Sequence, residues 1–291
     1  MYEVGSVMHI LSQPNISDNS PDLFTINHRL SRVVTILNIL VQKIDILETM
    51  TSLDFLDFRN RLRPASGFQS IQFKVLEAYL GLRMQNRHGK EYYTSQLKPE
   101  DKKIIEDVEK TKPLIDLVND WLERMPFFDM AEYWDNDNSE GGHPFWKQYA
   151  EAYSNSLVEA EKINLARFEE LFLGSDKKTE WNLSPKARRA ALFILMYRDY
   201  PLLQLPFQFI NNLLEIDNTL STWRYRHINM VHRMIGTRTG TGGSTGKDYL
   251  QGALNSHYIF KEFAELNTYM IERKKLPKLS LALNIRLGFG M

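Results

Sequence analysis

Seven histidines and no cysteine bound the chemistry open to this 291-residue chain. Without Cys there is no disulfide, no thiolate nucleophile, no Cys-based zinc site and no iron–sulfur cluster on cysteine ligands. The histidines are His9, His28, His88, His143, His227, His232 and His257. His227 and His232 are the closest pair, and on a helix their spacing turns one roughly 140° from the other. They therefore cannot clamp one metal as an i, i+4 pair does. One imidazole on a rigid helix suffices as the axial ligand of a haem, if a neighbouring group holds its tautomer. Taken singly, a helical His is more often an ordinary packed residue.

Arg59 ends the run Asp57-Phe58-Arg59, with Phe55 one turn earlier. A guanidinium beside aromatic rings suits bidentate capture of a carboxylate. The plainer reading is a surface Arg paired with Asp54 or Asp57. Gly240-Thr-Gly-Gly-Ser-Thr-Gly-Lys247 looks like a phosphate loop and fails as one. A Walker loop needs Gly where Thr241 stands and Ser or Thr where Asp248 stands. A dinucleotide fingerprint needs Gly where Thr245 stands. What remains is either a flexible loop or a loop whose amides and hydroxyls close over a small polar ligand.

These residues need helices to hold them. Val33, Ile36, Leu37, Leu40, Ile44 and Leu47 recur at three and four, and Val34, Val41 and Ile46 widen the stripe. The spacing predicts a helix buried on most sides. A polar connection over 14–27 precedes it. Further helical patterns cover Phe68–Leu82, a stretch from Lys98 to about Glu123, Pro144–Leu173 and a segment opened by Ser184-Pro185. Phe207–Leu214 reads as an apolar segment and Asp217–Gly236 as the next one. The last helix is expected from about Tyr249 to Met270. Asp135–Gly142 is polar and turn-rich, so a loop is expected there. No useful alternating pattern appears, and the fold class is all-α. The chain is read as a single domain over 1–291, with a helical excursion and flexible loop around 86–185.

Lys plus Arg number 36 and Asp plus Glu number 36, so no overall field favours nucleic acid. Val33–Met50 is broken by polar residues and cannot span a bilayer. Met1–Gln13 has no basic region and no long apolar run, so no targeting segment is read there, and the cytoplasm is the expected location.

Three stretches carry a resemblance. They are Leu47–Lys74, with its Leu-Glu-Thr-Met-Thr-Ser-Leu-Asp-Phe-Leu-Asp-Phe-Arg start and its Pro64-Ala-Ser-Gly-Phe-Gln-Ser core; Trp223-Arg-Tyr-Arg-His-Ile-Asn-Met-Val-His-Arg-Met-Ile-Gly236; and Gly240–Gly246. Tyr197-Arg-Asp-Tyr-Pro and Leu205-Pro-Phe-Gln add to them. From Tyr2 to about Pro277 the chain closely resembles tryptophan 2,3-dioxygenases. The resemblance implies an all-helical bundle of the tryptophan/indoleamine dioxygenase type and a haem b homotetramer. It implies that O2 is inserted across the indole C2–C3 bond of L-tryptophan to give N-formyl-L-kynurenine. A haem-dependent aromatic monooxygenase and a non-catalytic truncated homologue are the alternatives. By position, His227 is implied as the iron ligand, Arg59 as the partner of the substrate carboxylate, and Thr241 as the partner of its ammonium. Phe55 would line the indole pocket, Ser66 would lie near haem and substrate, and Lys74 would stand near a haem propionate, where many members have Arg. The family's distal His falls about a dozen residues before Tyr2 by the same alignment, so no catalytic residue is assigned and a weakened hold on haem is expected.

Overall fold

Proline at the first helical position has no N–H to leave unsatisfied, and five helices among the described residues begin on one. The computed structural model describes residues 1–16, 21–62, 70–88, 94–95, 97–125, 144–174, 181–236, 238, 252–254 and 256–288. Its helices are α1 (Tyr2–Leu11), α2 (Pro21–Glu48), α3 (Ser52–Arg59), α4 (Ile71–Leu80), α5 (Pro99–Glu109), α6 (Leu114–Glu123), α7 (Pro144–Ser156), α8 (Ile163–Phe168), α9 (Pro185–Met196), α10 (Pro201–Ile235), α11 (Lys261–Glu265) and α12 (Leu281–Leu287). Among the described residues there is no strand, so the fold is all-α as expected.

Several boundaries differ from the sequence reading, each for a local reason. Pro21 opens α2 inside the expected polar connection. Pro113, with no N–H to donate, separates α5 from α6 where one helix was expected. Ser156 turns its hydroxyl onto the Tyr153 carbonyl (2.6 Å) where α7 ends, and α8 begins only at Ile163. Phe207–Gly236 is not two segments: α10 runs on through Pro206 for 35 residues. The expected last helix is broken at 259–260, whose amides go to Asp217. Nor is α2 buried on most sides. Val33, Leu37 and Ile44 are buried, whereas Ile36, Ile39, Leu40, Ile46 and Leu47 are exposed.

The described chain divides into two compact units, one drawn from Met1–His9, Arg29–Ile115 and Asn212–Phe260, the other from Ile10–His28, Asp116–Asn211 and Lys261–Met291. In the first, Val75 and Ala78 of α4 pack with Ile105 and Val108 of α5. Gly81 ends α4 at φ 134°, and a Cβ there would lie 2.5 Å from the Ile115 side chain. Glycine thus meets both a backbone and a packing demand. The second unit is built on aromatic rings: Phe168 lies 4.7 Å from Phe172 and 5.2 Å from Tyr153 between ring centroids. Tyr149 and Tyr153 donate their hydroxyl protons to the carbonyls of Tyr269 and Thr268. A π-helical turn over Glu169–Leu173 follows α8, and the buried Arg188 and Arg189 donate to the Leu171 and Phe172 carbonyls that it leaves open.

Candidate active site

All the described site residues belong to the first unit. Ser66 and Thr241, with the Gly240–Gly246 run, lie outside the described residues.

α3 carries two of the expected residues. Thr51 caps it, accepting from the Asp54 amide (3.2 Å), while the Asp54 carboxylate accepts from the Thr51 amide (2.9 Å) and hydroxyl. This reciprocal capping box fixes where the helix starts. It holds the Asp54 carboxyl below the usual carboxylate range. One turn on, Phe55 meets Phe58 edge to face at 5.4 Å. Phe55 and Arg59 are both half-buried. Ser52 donates its hydroxyl proton to the Arg233 carbonyl (2.9 Å) and so ties the start of α3 to the last turn of α10.

His227 lies on α10, about 9 Å along the axis before Arg233. Its ring stacks on Trp223, one turn earlier, at 5.0 Å and 14°. Burial pushes its pKa below the ordinary histidine value, so the imidazole is neutral at pH 7. Its Nδ1 is buried without a hydrogen-bond partner among the described residues. Trp223 in turn packs on Phe73 of α4 at 5.0 Å. The next residue on α4 is Lys74, 7% exposed. Burial first, and then repulsion from Arg87, push its pKa down to about 8 against the pull of Glu77. Thus Phe55 and Arg59 reach α10 through Ser52, and Lys74 reaches it through Phe73.

Sequence reasoning missed the charges behind this seam. Glu77, one turn after Lys74, is buried. It accepts from Arg87 Nη1 (2.5 Å) and from Arg224 Nη2 (2.7 Å), both of them buried. Burial alone would raise the Glu77 pKa, but Arg87, Arg224 and His257 bring it below the usual range. Arg224 also donates Nη1 to the His257 carbonyl (3.0 Å), and His257 Nε2 accepts the His88 amide (3.1 Å). The signal available in the sequence was spacing: Glu77 is i+3 from Lys74, and Arg224 is i−3 from His227.

A cavity of about 670 Å³ in the same unit lies elsewhere. It is lined largely by apolar groups, with Tyr2, Ser6 and His9 of α1 facing Ile71, Val75 and Tyr79 of α4. At 100° per residue, those α4 positions centre about 160° from Phe73 and Glu77 and about 100° from Lys74.

Among the described residues, no group of three or more His, Asp or Glu is arranged to hold a bare metal ion. The donor on offer is one neutral, ring-stacked imidazole with a buried nitrogen unsatisfied, next to a seam holding a buried cation. That set fits a haem, which brings four nitrogen ligands and carboxylates of its own.

Comparison with known proteins points to one family. A family model described as tryptophan 2,3-dioxygenase matches residues 1–270. The tryptophan 2,3-dioxygenase of Bdellovibrio bacteriovorus is 37% identical, over 99% of this chain and 85% of its own length. The enzyme of that name from Dictyostelium discoideum is 35% identical, over 100% of this chain and 77% of its own length. The mouse enzyme is 33% identical, over 96% of this chain and 73% of its own. On a family match that spans nearly all of its length, the chain belongs to the tryptophan 2,3-dioxygenase family.

Proposed function

We propose that the chain is a haem-dependent tryptophan 2,3-dioxygenase, adding both atoms of O2 across the indole C2–C3 bond of L-tryptophan to give N-formyl-L-kynurenine. The observation that carries this reading is His227: a neutral, stacked imidazole with an unsatisfied buried nitrogen, inside a family match over residues 1–270.

Haem b, when bound, supplies an iron centre that activates O2. The chain's own residues do the rest. His227 holds the iron, since burial disfavours imidazolium and the Trp223 face fixes the ring plane. Lys74 offers a buried positive charge to a haem carboxylate. Arg59 grips the substrate carboxylate, and its planar fork fixes direction as well as charge. The Thr241 hydroxyl accepts from the ammonium group. Phe55, its ring set by Phe58, lines the indole side; Ser66 is assigned to the haem and substrate by resemblance to the family alone. Holding both charged ends of the amino acid leaves the indole one pose, which is the positioning that a two-atom insertion needs.

No described helix is long and apolar enough to cross a membrane. The reading places the enzyme in the cytoplasm as a homotetramer, and the exposed aliphatic residues of α2 support self-association.

Reconstitution with haemin tests the reading. The chain should give a Soret band. With a reductant, L-tryptophan and 18O2 it should form a product heavier by two labelled oxygens. Replacing His227 by Ala should abolish the Soret band. Arg59→Gln should keep it and raise KM for tryptophan by about tenfold or more, the worth of a charge-assisted bond. A single labelled oxygen would mark a monooxygenase instead.

A further inference from the structure

The group left over by the mechanism is Glu77. It is a buried carboxylate in a helix, in contact with neither substrate nor iron ligand in the proposed scheme. We propose that Glu77 is a positioning residue: its carboxylate locks α4 to α10 and so sets Lys74 and His227 in register for the haem. The inference rests on the reading of His227 and Lys74 given above.

Four separated pieces of chain converge on this carboxylate. Glu77 comes from α4, Arg87 from the segment after it, Arg224 from α10, and His257 from the turn that follows residues 252–256. One oxygen takes Arg87 at 2.5 Å, and the other takes Arg224 at 2.7 Å, with His257 Nδ1 at 3.9 Å. The Arg224–His257 and His257–His88 hydrogen bonds close the ring. Beyond His88, the backbone of Gly252 sits where a Cβ would fall 2.2 Å from the His88 imidazole. The network is therefore seated tightly against Gly252.

The register follows from helix geometry. Glu77 and Lys74 share a face of α4, and Arg224 and His227 share a face of α10, each pair three residues apart. Phe73 on Trp223, and the Arg224 guanidinium 5.9 Å from the Phe73 ring centre, lie along the same seam. Glu77 stands among Lys74, Arg87 and Arg224, all buried cations. Remove its charge and three positive groups remain in a poorly solvated space. Breaking one side of a buried ion pair is far costlier than never having built it. The strain falls on the α4–α10 seam, where Lys74 and His227 are carried.

A general packing role would make Glu77 no different from Glu262, a buried carboxylate of the second unit, which takes the amides of Asn182 and Leu183 at 2.5 and 2.9 Å. The test compares Glu77→Gln with Glu262→Ala in the full chain, after urea titration of both. Two readouts are used: the 15N signal of His227 in the haem-free protein, assigned by its loss in His227→Ala, and the dissociation constant for haemin. Glu77→Gln should move the His227 signal and weaken haemin at least tenfold. Glu262→Ala should leave the signal in place and the affinity within about twofold. Glu77→Asp should recover most of the loss. If Glu77→Gln does not fold, Glu77→Asp is read against wild type in its place, with a smaller shift in the same direction expected. Equal behaviour of the Glu77 and Glu262 variants in both readouts overturns the proposal, as does an unmoved His227 signal in a folded Glu77 variant. If the wild-type chain gives no haemin complex, the haem reading itself fails, and the signal in the haem-free protein still decides whether Glu77 sets His227.

Discussion

At the scale of single residues, Lys74 shows how one atom type changes the conditions a site works under. Its ammonium is buried beside Arg87, and the proton it carries at pH 7 leaves at about pH 8. Lysine free in water holds that proton to about pH 10.4. A carboxylate brought to Lys74 favours the charged form, so binding and protonation help each other. Above pH 8 the haem-free protein has lost the charge, and part of the binding energy is spent on recovering the proton. Haemin affinity of the wild type should therefore fall as pH rises from 8 to 10. In Lys74→Arg the guanidinium stays charged throughout and can grip bidentately, so the same titration should be nearly flat. Equilibrium haemin titrations at fixed ionic strength measure both curves, and parallel curves would remove Lys74 from the haem site. Arg59, Phe55, His227 and Lys74 were named from resemblance to a family. Spacing alone left Arg59 and His227 open between binding and packing, because a residue's environment is a property of distant chain. The Trp223 face and the buried Nδ1 of His227 are features that only the folded chain displays.

At the scale of elements, the turn at 257–260 is held to α10 by the Asp217 carboxylate and carries the His257 imidazole, and the protonation of these two groups works in opposite senses. Burial keeps His257 neutral down to about pH 4, Glu77 opposing. Unfolded histidine takes its proton near pH 6.5, so acid favours the unfolded chain between these values and stability falls with pH. Asp217 is raised to about 6 by burial, which outweighs the amides of Phe260 and Ile259. Here the folded state takes the proton first, so stability grows as pH falls from about 6 to 3.8. Each shift is worth on the order of 3 kcal/mol, and the windows overlap. Urea titrations at pH 6.5 and 4.5 should show Asp217→Asn losing more stability on acidification than wild type, by about 2 kcal/mol. His257→Gln should lose less, or gain. The same change in both variants would mean that neither group is perturbed as the fold implies. This turn also marks the edge of what the sequence shows. The Val33–Leu47 stripe and the Ser184-Pro185 start were legible because their causes are local. The bond between Arg224 and Glu77 spans 147 residues, and a Glu on an amphipathic helix reads as solvated until its partners are in place. The break at Pro113 was legible in principle, since proline has no amide to donate.

At the scale of the molecule, α2 poses the clearest question. Ile36, Ile39, Leu40, Ile46 and Leu47 are 40–70% exposed. At 100° per residue they fall within an arc of about 120°, beside the arc that buries Val33, Leu37 and Ile44. Scattered exposed aliphatics are ordinary, but five along about 17 Å of helix make an apolar face, with Lys43 the one charged side chain inside the arc. A second copy offers the same face, so a two-fold pairing that sets the two Lys43 side chains apart covers both rows at once. Covering each half-exposed Ile or Leu contributes about 1 kcal/mol. A double substitution Ile39→Glu with Leu40→Glu removes that gain in every copy and buries carboxylates against each other, while the fold keeps its buried arc. The wild type should sediment as a tetramer. The double variant should sediment as a smaller species at micromolar concentration, with a urea midpoint little changed once concentration is held fixed. A variant that still sediments as a tetramer would move the interface away from α2. A wild type that is monomeric would end the homotetramer reading, leaving the haem and tryptophan assignments to stand on their own tests.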